Sequence, residues 1–167
     1  MRISALLHPQ AVFPAIAAQR KEDVLFLVAT RLSACYPELD RDRLTAALLM
    51  RERLMGTALA DGVAIPHARL RNVSRTIAAF GRSQAGIDWD SHDGRPAHLI
   101  FALVVPDDAQ SAHLKVLAAA SRLLHDPACR TRLMQASDDT LLHALRAEEE
   151  HALDARTLRP SPRLVTP

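Results

Sequence analysis

Residues 98–105 read HLIFALVV, an unbroken apolar run after His98 that continues to Pro106 and leaves no alternate position for solvent. Eight residues are few for a helix, and Ile, Phe and Val favour extended backbone. The run is therefore read as a strand apolar enough to be central in a sheet that helices cover. Upstream, TIAAFGRS at 76–83 is a second strand candidate and VAI at 63–65, closed by Pro66, a short third. Between the two longer candidates, Asp93-Gly94 and Pro96 punctuate a turn that brings neighbouring strands together.

The periodicity changes on both sides of these strands. KEDVLFLVATRLSACY, 21–36, puts Val24, Leu27, Val28, Arg31, Leu32 and Cys35 at helical spacing and is stopped by Pro37. A second helix is expected from an Asp40 N-cap through Leu44, Ala47, Leu48 and Met50 to about Leu54. Beyond the strands, Leu114, Leu117, Ala118, Ser121 and Leu124 mark one helix face. Asp126-Pro127 opens a short helix to about Gln135, and Ser137, backed by Asp138 and Asp139, caps a last one. This order gives an α/β (α+β) class, a sheet flanked by helices. Residues 1–150 are expected to form one domain and the proline-rich residues 151–167 a fraying tail.

Composition narrows the function classes. A chain of 167 residues, 49% hydrophobic and 24% charged, is that of one globular domain burying roughly 70% of its unfolded surface. The net charge is only +2, with 21 basic residues dispersed among 19 acidic ones, and aromatics are 4%, so neither a phosphate-neutralising block nor a base-stacking platform is present. Nucleic acid is not an expected partner. The longest apolar run is far short of the roughly 20 residues that span a bilayer. Arg2 and the apolar residues after it resemble a signal peptide superficially, but His8, Pro9 and Pro14 interrupt them, so the segment is expected to pack on the domain. Cys35 and Cys129 have no pairing motif, which suits a reducing compartment, and a cytoplasmic protein is expected.

Eight histidines raise the question of metal, yet neither H-E-x-x-H nor C-x-x-C occurs, and no metal or cofactor is expected. His92, His125, His143 and His151 fall in turns or on polar helix faces and read as solvated; His8 and His98 read as structural. His67 differs because it follows a buried strand at a glycine- and proline-punctuated turn, which holds a polar side chain rigidly toward solvent. His113 lies in the first turn of its helix, one residue off the apolar stripe, and is expected at the rim of the core.

RERLMGTALADGVAIPHAR, 51–69, resembles the phosphorylation signature of the IIA proteins of the bacterial phosphotransferase system, in the fructose, mannitol and nitrogen-regulatory class (type 2). Arg51, Glu52, Thr57, Gly62, Ala64, Ile65, Pro66 and His67 match its Arg-Glu pair, its threonine, its glycine-bearing turn and its Ala-aliphatic-Pro-His. The similarity continues through GIDWDSHDGRPAHLIFALVVPDD, and through HLKVLAAASRLL, where the family has a second active-site histidine at the position of His113. It covers about Ile3 to Ala147. Ala58, Ala60 and Ala68 depart from the family's usual glycines and would narrow the loop's backbone freedom.

The resemblance implies a mixed β-sheet flanked by helices, and transient phosphorylation of His67 by a histidine-phosphorylated carrier protein. It further implies that phosphate passes to a IIB domain in sugar-transport members, whereas nitrogen-regulatory members signal by their phosphorylation state. Residues 101–133 look more like the regulatory type; a fructose- or mannitol-type transport subunit is the alternative. The side chains suit the chemistry. Neutral imidazole is nucleophilic near neutral pH without a metal, and phosphoryl transfer rests on positioning and electrostatics. Arg51 offers a guanidinium fork to phosphate oxygens, and His113 an imidazole N–H. Thr57 either orients His67, bonds a phosphate oxygen, or is an ordinary loop residue. Pro66 fixes the backbone that aims His67.

Overall fold

The computed structural model describes residues 2–157, those at 110–112 and 156–157 by backbone alone. In chain order the elements are β1 (Leu7–Phe13), α1 (Lys21–Cys35), α2 (Arg41–Leu54), β2 (Val63–Ala64), β3 (His67–Leu70), β4 (Ile77–Ile87), β5 (Ala97–Pro106), α3 (Gln110–His125), α4 (Pro127–Gln135) and α5 (Leu141–Thr157). The sheet runs β1-β4-β5-β2, with β3 also paired to β5. It is mixed: β4 and β5 are antiparallel, while β1 lies parallel to β4, and β2 and β3 parallel to β5.

The apolar run at 98–105 forms β5 and is buried on both faces. Ile100, Ala102 and Val104 join the core under α1 and α2, with Val24, Val28, Leu44 and Leu48. Leu99, Phe101 and Leu103 join the core under α3, α4 and α5, with Val116, Leu124, Leu133 and Leu145. The result is three layers, helices on either side of one sheet, as the α/β (α+β) reading expects. Asp40 caps α2 by accepting from the Arg43 N–H at 2.8 Å, and Asp126 caps α4, with Pro127 in its first turn, by accepting from the Ala128 N–H at 3.0 Å. Ser137 precedes a short 3-10 turn, Asp138–Thr140, instead of capping α5 directly, and its hydroxyl meets that of Thr140.

The N-terminal segment packs on the domain as expected, and does so as an edge strand: Leu7–Phe13 pairs with β4, with Pro9 where a missing N–H is tolerated. Other expectations are corrected. The short β3 follows Pro66 where a turn was expected. The buried face of α3 carries His113, Val116, Ala120, Leu123 and Leu124, while Leu114 is 65% exposed. Leu114 and Leu117 keep helical spacing beside the buried stripe and draw the expected face onto themselves, and His113 belongs to the core and not to its rim. On α2, Met50 is likewise exposed. The helix α5 runs past the boundary drawn at 150, to Thr157; the rest of the expected tail lies outside the described residues. Glu149 ties α5 to the start of the chain by accepting from the backbone N–H groups of Ile3 and Ser4 and from the Ser4 hydroxyl. Among the described residues no helix is long and apolar enough to cross a membrane.

Arg82, 1% exposed in the middle of β4, is a cross-layer tie with no signal in the periodicity. Its guanidinium donates to the carbonyls of Leu133 at 2.9 Å and Ala136 at 2.5 Å, where α4 ends, to the Pro14 carbonyl at 3.1 Å, and to Asp138 at 2.5 Å. Those at the end of α4 are the carbonyls a helix end leaves without partners. Arg82→Met strips that cap and leaves the Leu133 carbonyl unpaired in the core, so it is expected to cost about 2–3 kcal/mol. The check is a lower urea midpoint at unchanged slope.

Candidate active site

Residues 63–70 run beside β5, but the ladder breaks in the middle. Val63 and Ala64 pair with Leu99 and Ile100, and His67 resumes opposite Leu103. Pro66 has no N–H to give; its carbonyl still accepts from the Leu103 N–H at 2.9 Å. At the break the polar groups of Ile65 turn elsewhere. Its N–H donates to the Thr57 carbonyl at 2.9 Å, and its carbonyl lies 2.9 Å from His67 Nδ1.

This contact and one other settle the tautomer. Arg51, on the last turn of α2, places Nε 2.9 Å from His67 Nε2. A guanidinium can only donate, so Nε2 is the accepting nitrogen, and the proton sits on Nδ1, where the Ile65 carbonyl takes it. The Arg51 guanidinium also donates to the Met55 carbonyl at 2.7 Å, beyond the end of its own helix. His113 reaches the site from α3, its ring centroid 5.0 Å from that of His67. It is 4% exposed, and its Nδ1 is buried with no hydrogen-bond partner among the described residues.

The fold thus brings Arg51, His67 and His113 together on one groove of about 530 Å³. Thr57 is placed behind them. Its hydroxyl donates to Glu52 and accepts from Trp89 Nε1 at 3.3 Å, so it supports the loop rather than facing the groove. Sequence reading missed Arg69, an exposed residue that lines the same groove. Two residues beyond His67 in β3, it shares that residue's side of the strand; once 67–70 is taken as strand, alternation finds it.

Electrostatics keep both imidazoles neutral. Burial lowers the pKa of His67 below its ordinary value, with Arg51 and Arg69 adding to the fall against the Ile65 hydrogen bond. For His113, burial first, then His67, Arg69 and Arg51, bring the pKa down to about 4. The loop departures at Ala58, Ala60 and Ala68 carry no backbone strain, because the left-handed positions are Asp61, at φ 64°, and Gly62, at φ 79°. Among the described residues no group of three or more His, Cys, Asp or Glu side chains is placed to hold a metal ion.

A family model described as the EIIA 2 domain of the phosphoenolpyruvate-dependent sugar phosphotransferase system matches residues 5–148. The chain belongs to this type-2 IIA family. It is 34% identical over 147 residues to a nitrogen regulatory protein of Bradyrhizobium diazoefficiens, covering 88% of this chain and 95% of that one. It is also 34% identical over 151 residues to the fructose-specific EIIABC component of Bacillus subtilis, where 90% of this chain spans only 24% of that protein's length. The crystal structure of the nitrogen regulatory IIA protein of Neisseria meningitidis superposes with a TM-score of 0.79 at 29% identity, covering 86% of this chain and 98% of that one. These likenesses agree with the mixed sheet flanked by helices.

The buried imidazole of His113 makes stability depend on pH. Above about pH 6.5 it is neutral in both folded and unfolded chains and contributes no difference; between that value and about 4 the unfolded chain binds a proton that the folded one refuses. Stability is therefore expected to fall as pH drops through this window, and that of His113→Gln to fall less steeply. Urea midpoints of both proteins from about pH 7.5 to 4.5 check it; parallel curves would remove His113 as the cause.

Proposed function

We propose that this IIA protein accepts a phosphoryl group on His67 Nε2 from a histidine-phosphorylated carrier protein in the cytoplasm, and acts as a nitrogen-type regulatory component. One observation carries the reading: the imidazole is held at both nitrogens, with Nδ1–H on the Ile65 carbonyl and the Nε2 lone pair on Arg51 at the groove. In the transfer, the Nε2 lone pair forms the new N–P bond as the carrier's N–P bond breaks, and the electron pair of that bond returns to the carrier's imidazole. The Nδ1 proton stays, and the Ile65 carbonyl faces the positive charge the ring acquires.

Arg51 gives up Nε2 as phosphorus arrives and turns its fork to the phosphoryl oxygens, with Arg69 as a second cation and His113 as a neutral N–H donor. Neutrality serves both imidazoles, since a protonated His67 could not attack. Met50, Leu54 and Leu114, 65%, 75% and 65% exposed, rim the groove with apolar surface on which a carrier protein can dock around the charged centre.

The regulatory role is supported by nitrogen regulatory relatives matched along nearly their whole length, in Bradyrhizobium diazoefficiens and, at 31% identity over 94% of that protein, Pseudomonas aeruginosa. A second reading, a transport subunit that passes phosphate to a IIB domain, is favoured by the Bacillus fructose-specific relative and by a fructose-specific EIIA component of Haloferax volcanii, 39% identical over 109 residues.

Incubation with carrier charged from phosphoenolpyruvate is expected to give one acid-labile phosphate on His67. His67→Ala should take up none, while Arg51→Ala and His113→Ala should still be labelled, about 10²-fold more slowly. Labelling of His67→Ala would overturn the assignment. Onward transfer of the label to a fructose-type IIB would select the transport reading over the regulatory one.

A further inference from the structure

Arg51 and its neighbour Glu52 reach opposite nitrogens of one imidazole, the first directly and the second through backbone. Glu52 is 5% exposed. One carboxylate oxygen accepts from the Thr57 backbone N–H at 3.0 Å and from the Thr57 hydroxyl, while the other lies 3.5 Å from Lys21 Nζ. Lys21 is closer to Asp90, at 2.7 Å, so Thr57 supplies the nearer donors. Thr57 in turn closes a tight hairpin. Its carbonyl takes the Ile65 N–H at 2.9 Å, the Leu59 N–H reaches the Val63 carbonyl at 2.7 Å, and the left-handed Asp61 and Gly62 make the turn. The far end of that hairpin is the Ile65 carbonyl that holds Nδ1.

We propose that Glu52 is a positioning residue for phosphoryl transfer: it anchors residues 57–65 and so keeps His67 in the Nδ1–H tautomer with Nε2 at the groove. The proposal rests on His67 being the acceptor. A carboxylate is a costly group to bury when packing alone is needed, since an apolar side chain of similar volume fills the space without desolvation. Here the cost is offset by two donors from the one residue that fixes the base of the hairpin. The tether is mechanical. The N–H and the carbonyl of Ile65 belong to different peptide units, so no conjugated path runs from Glu52 to the ring. Without the anchor the Ile65 carbonyl is free to turn, Nδ1 loses its acceptor, and the ring populates the Nε2–H form, whose lone pair is on Nδ1 and not on the nitrogen at the groove.

Nitrogen-15 spectra of His67 and rapid-quench phosphorylation by charged carrier test this on the full chain, with Glu52→Ala and Glu52→Gln. Wild type is expected as a single Nδ1–H tautomer. Glu52→Ala should show mixed tautomers and a kcat about 10- to 100-fold lower at unchanged KM, the scale of a misplaced reacting group. Glu52→Gln, which keeps an acceptor for Thr57, should recover most of both. Wild-type tautomer and rate in Glu52→Ala, or a Glu52→Gln protein as slow as Glu52→Ala, would overturn the role. Should Glu52→Ala not fold, Thr57→Val removes the hydroxyl link alone, with several-fold slowing and a partial tautomer shift expected and wild-type values overturning. The tautomer needs no phosphate to be read, so a wild type that showed it but accepted no label would sink the acceptor reading and leave the anchor standing.

Discussion

Water reaches neither face of β5, and the rest of the molecule is arranged to keep it so. Odd positions from Leu99 to Leu103 need one helical layer, and even positions from Ile100 to Val104 need another. That demand recruits α1 and α2 to one side and α3, α4 and α5 to the other. The candidate site is a consequence of where these layers meet. Arg51 comes from the first layer, His113 from the second, and His67 from the strand lying along β5 between them. A residue that must meet groups from both layers can sit only in the sheet, at a point where the sheet opens.

Pro66 lies at that opening. The Gly62 and Pro66 carbonyls face β5, so by alternation the polar groups of Ile65 face away from it, the N–H to Thr57 and the carbonyl to His67. The backbone around the break remains paired, so the opening costs no orphaned amide. Pro66 aims the histidine by fixing its own φ and biasing Ile65 to extended backbone, which keeps the Ile65 carbonyl in place as the acceptor for the ring.

The parts of this arrangement differ in how far they could be read in advance. A continuous apolar run has one physical reading, burial on both faces, so β5 and the layered class followed from residues 98–105 directly. Asp40 and Asp126-Pro127 were legible because capping is local chemistry. What depended on partners distant in the chain was not legible. An edge strand tolerates Pro9 only because β4 pairs it on one side, and local pattern cannot show that. The rotation of α3 was hidden because Leu114 and Leu117 keep helical spacing beside the buried stripe, so His113 was placed one step off its true face. The family resemblance supplied the pairing of Arg51 with His67 and His113 that spacing could not, but it left Thr57 among three roles. Its bonds to Glu52 and Trp89 place it in the support of the loop.

The charge balance of the groove explains why neutral histidines and free cations coexist there. Burial is the larger cause of that neutrality, and the Arg51 and Arg69 guanidinium groups add to it, each making protonation of His67 and His113 less favourable. The buried Nδ1 of His113, without a hydrogen-bond partner among the described residues, is a standing cost to the fold at the floor of this groove.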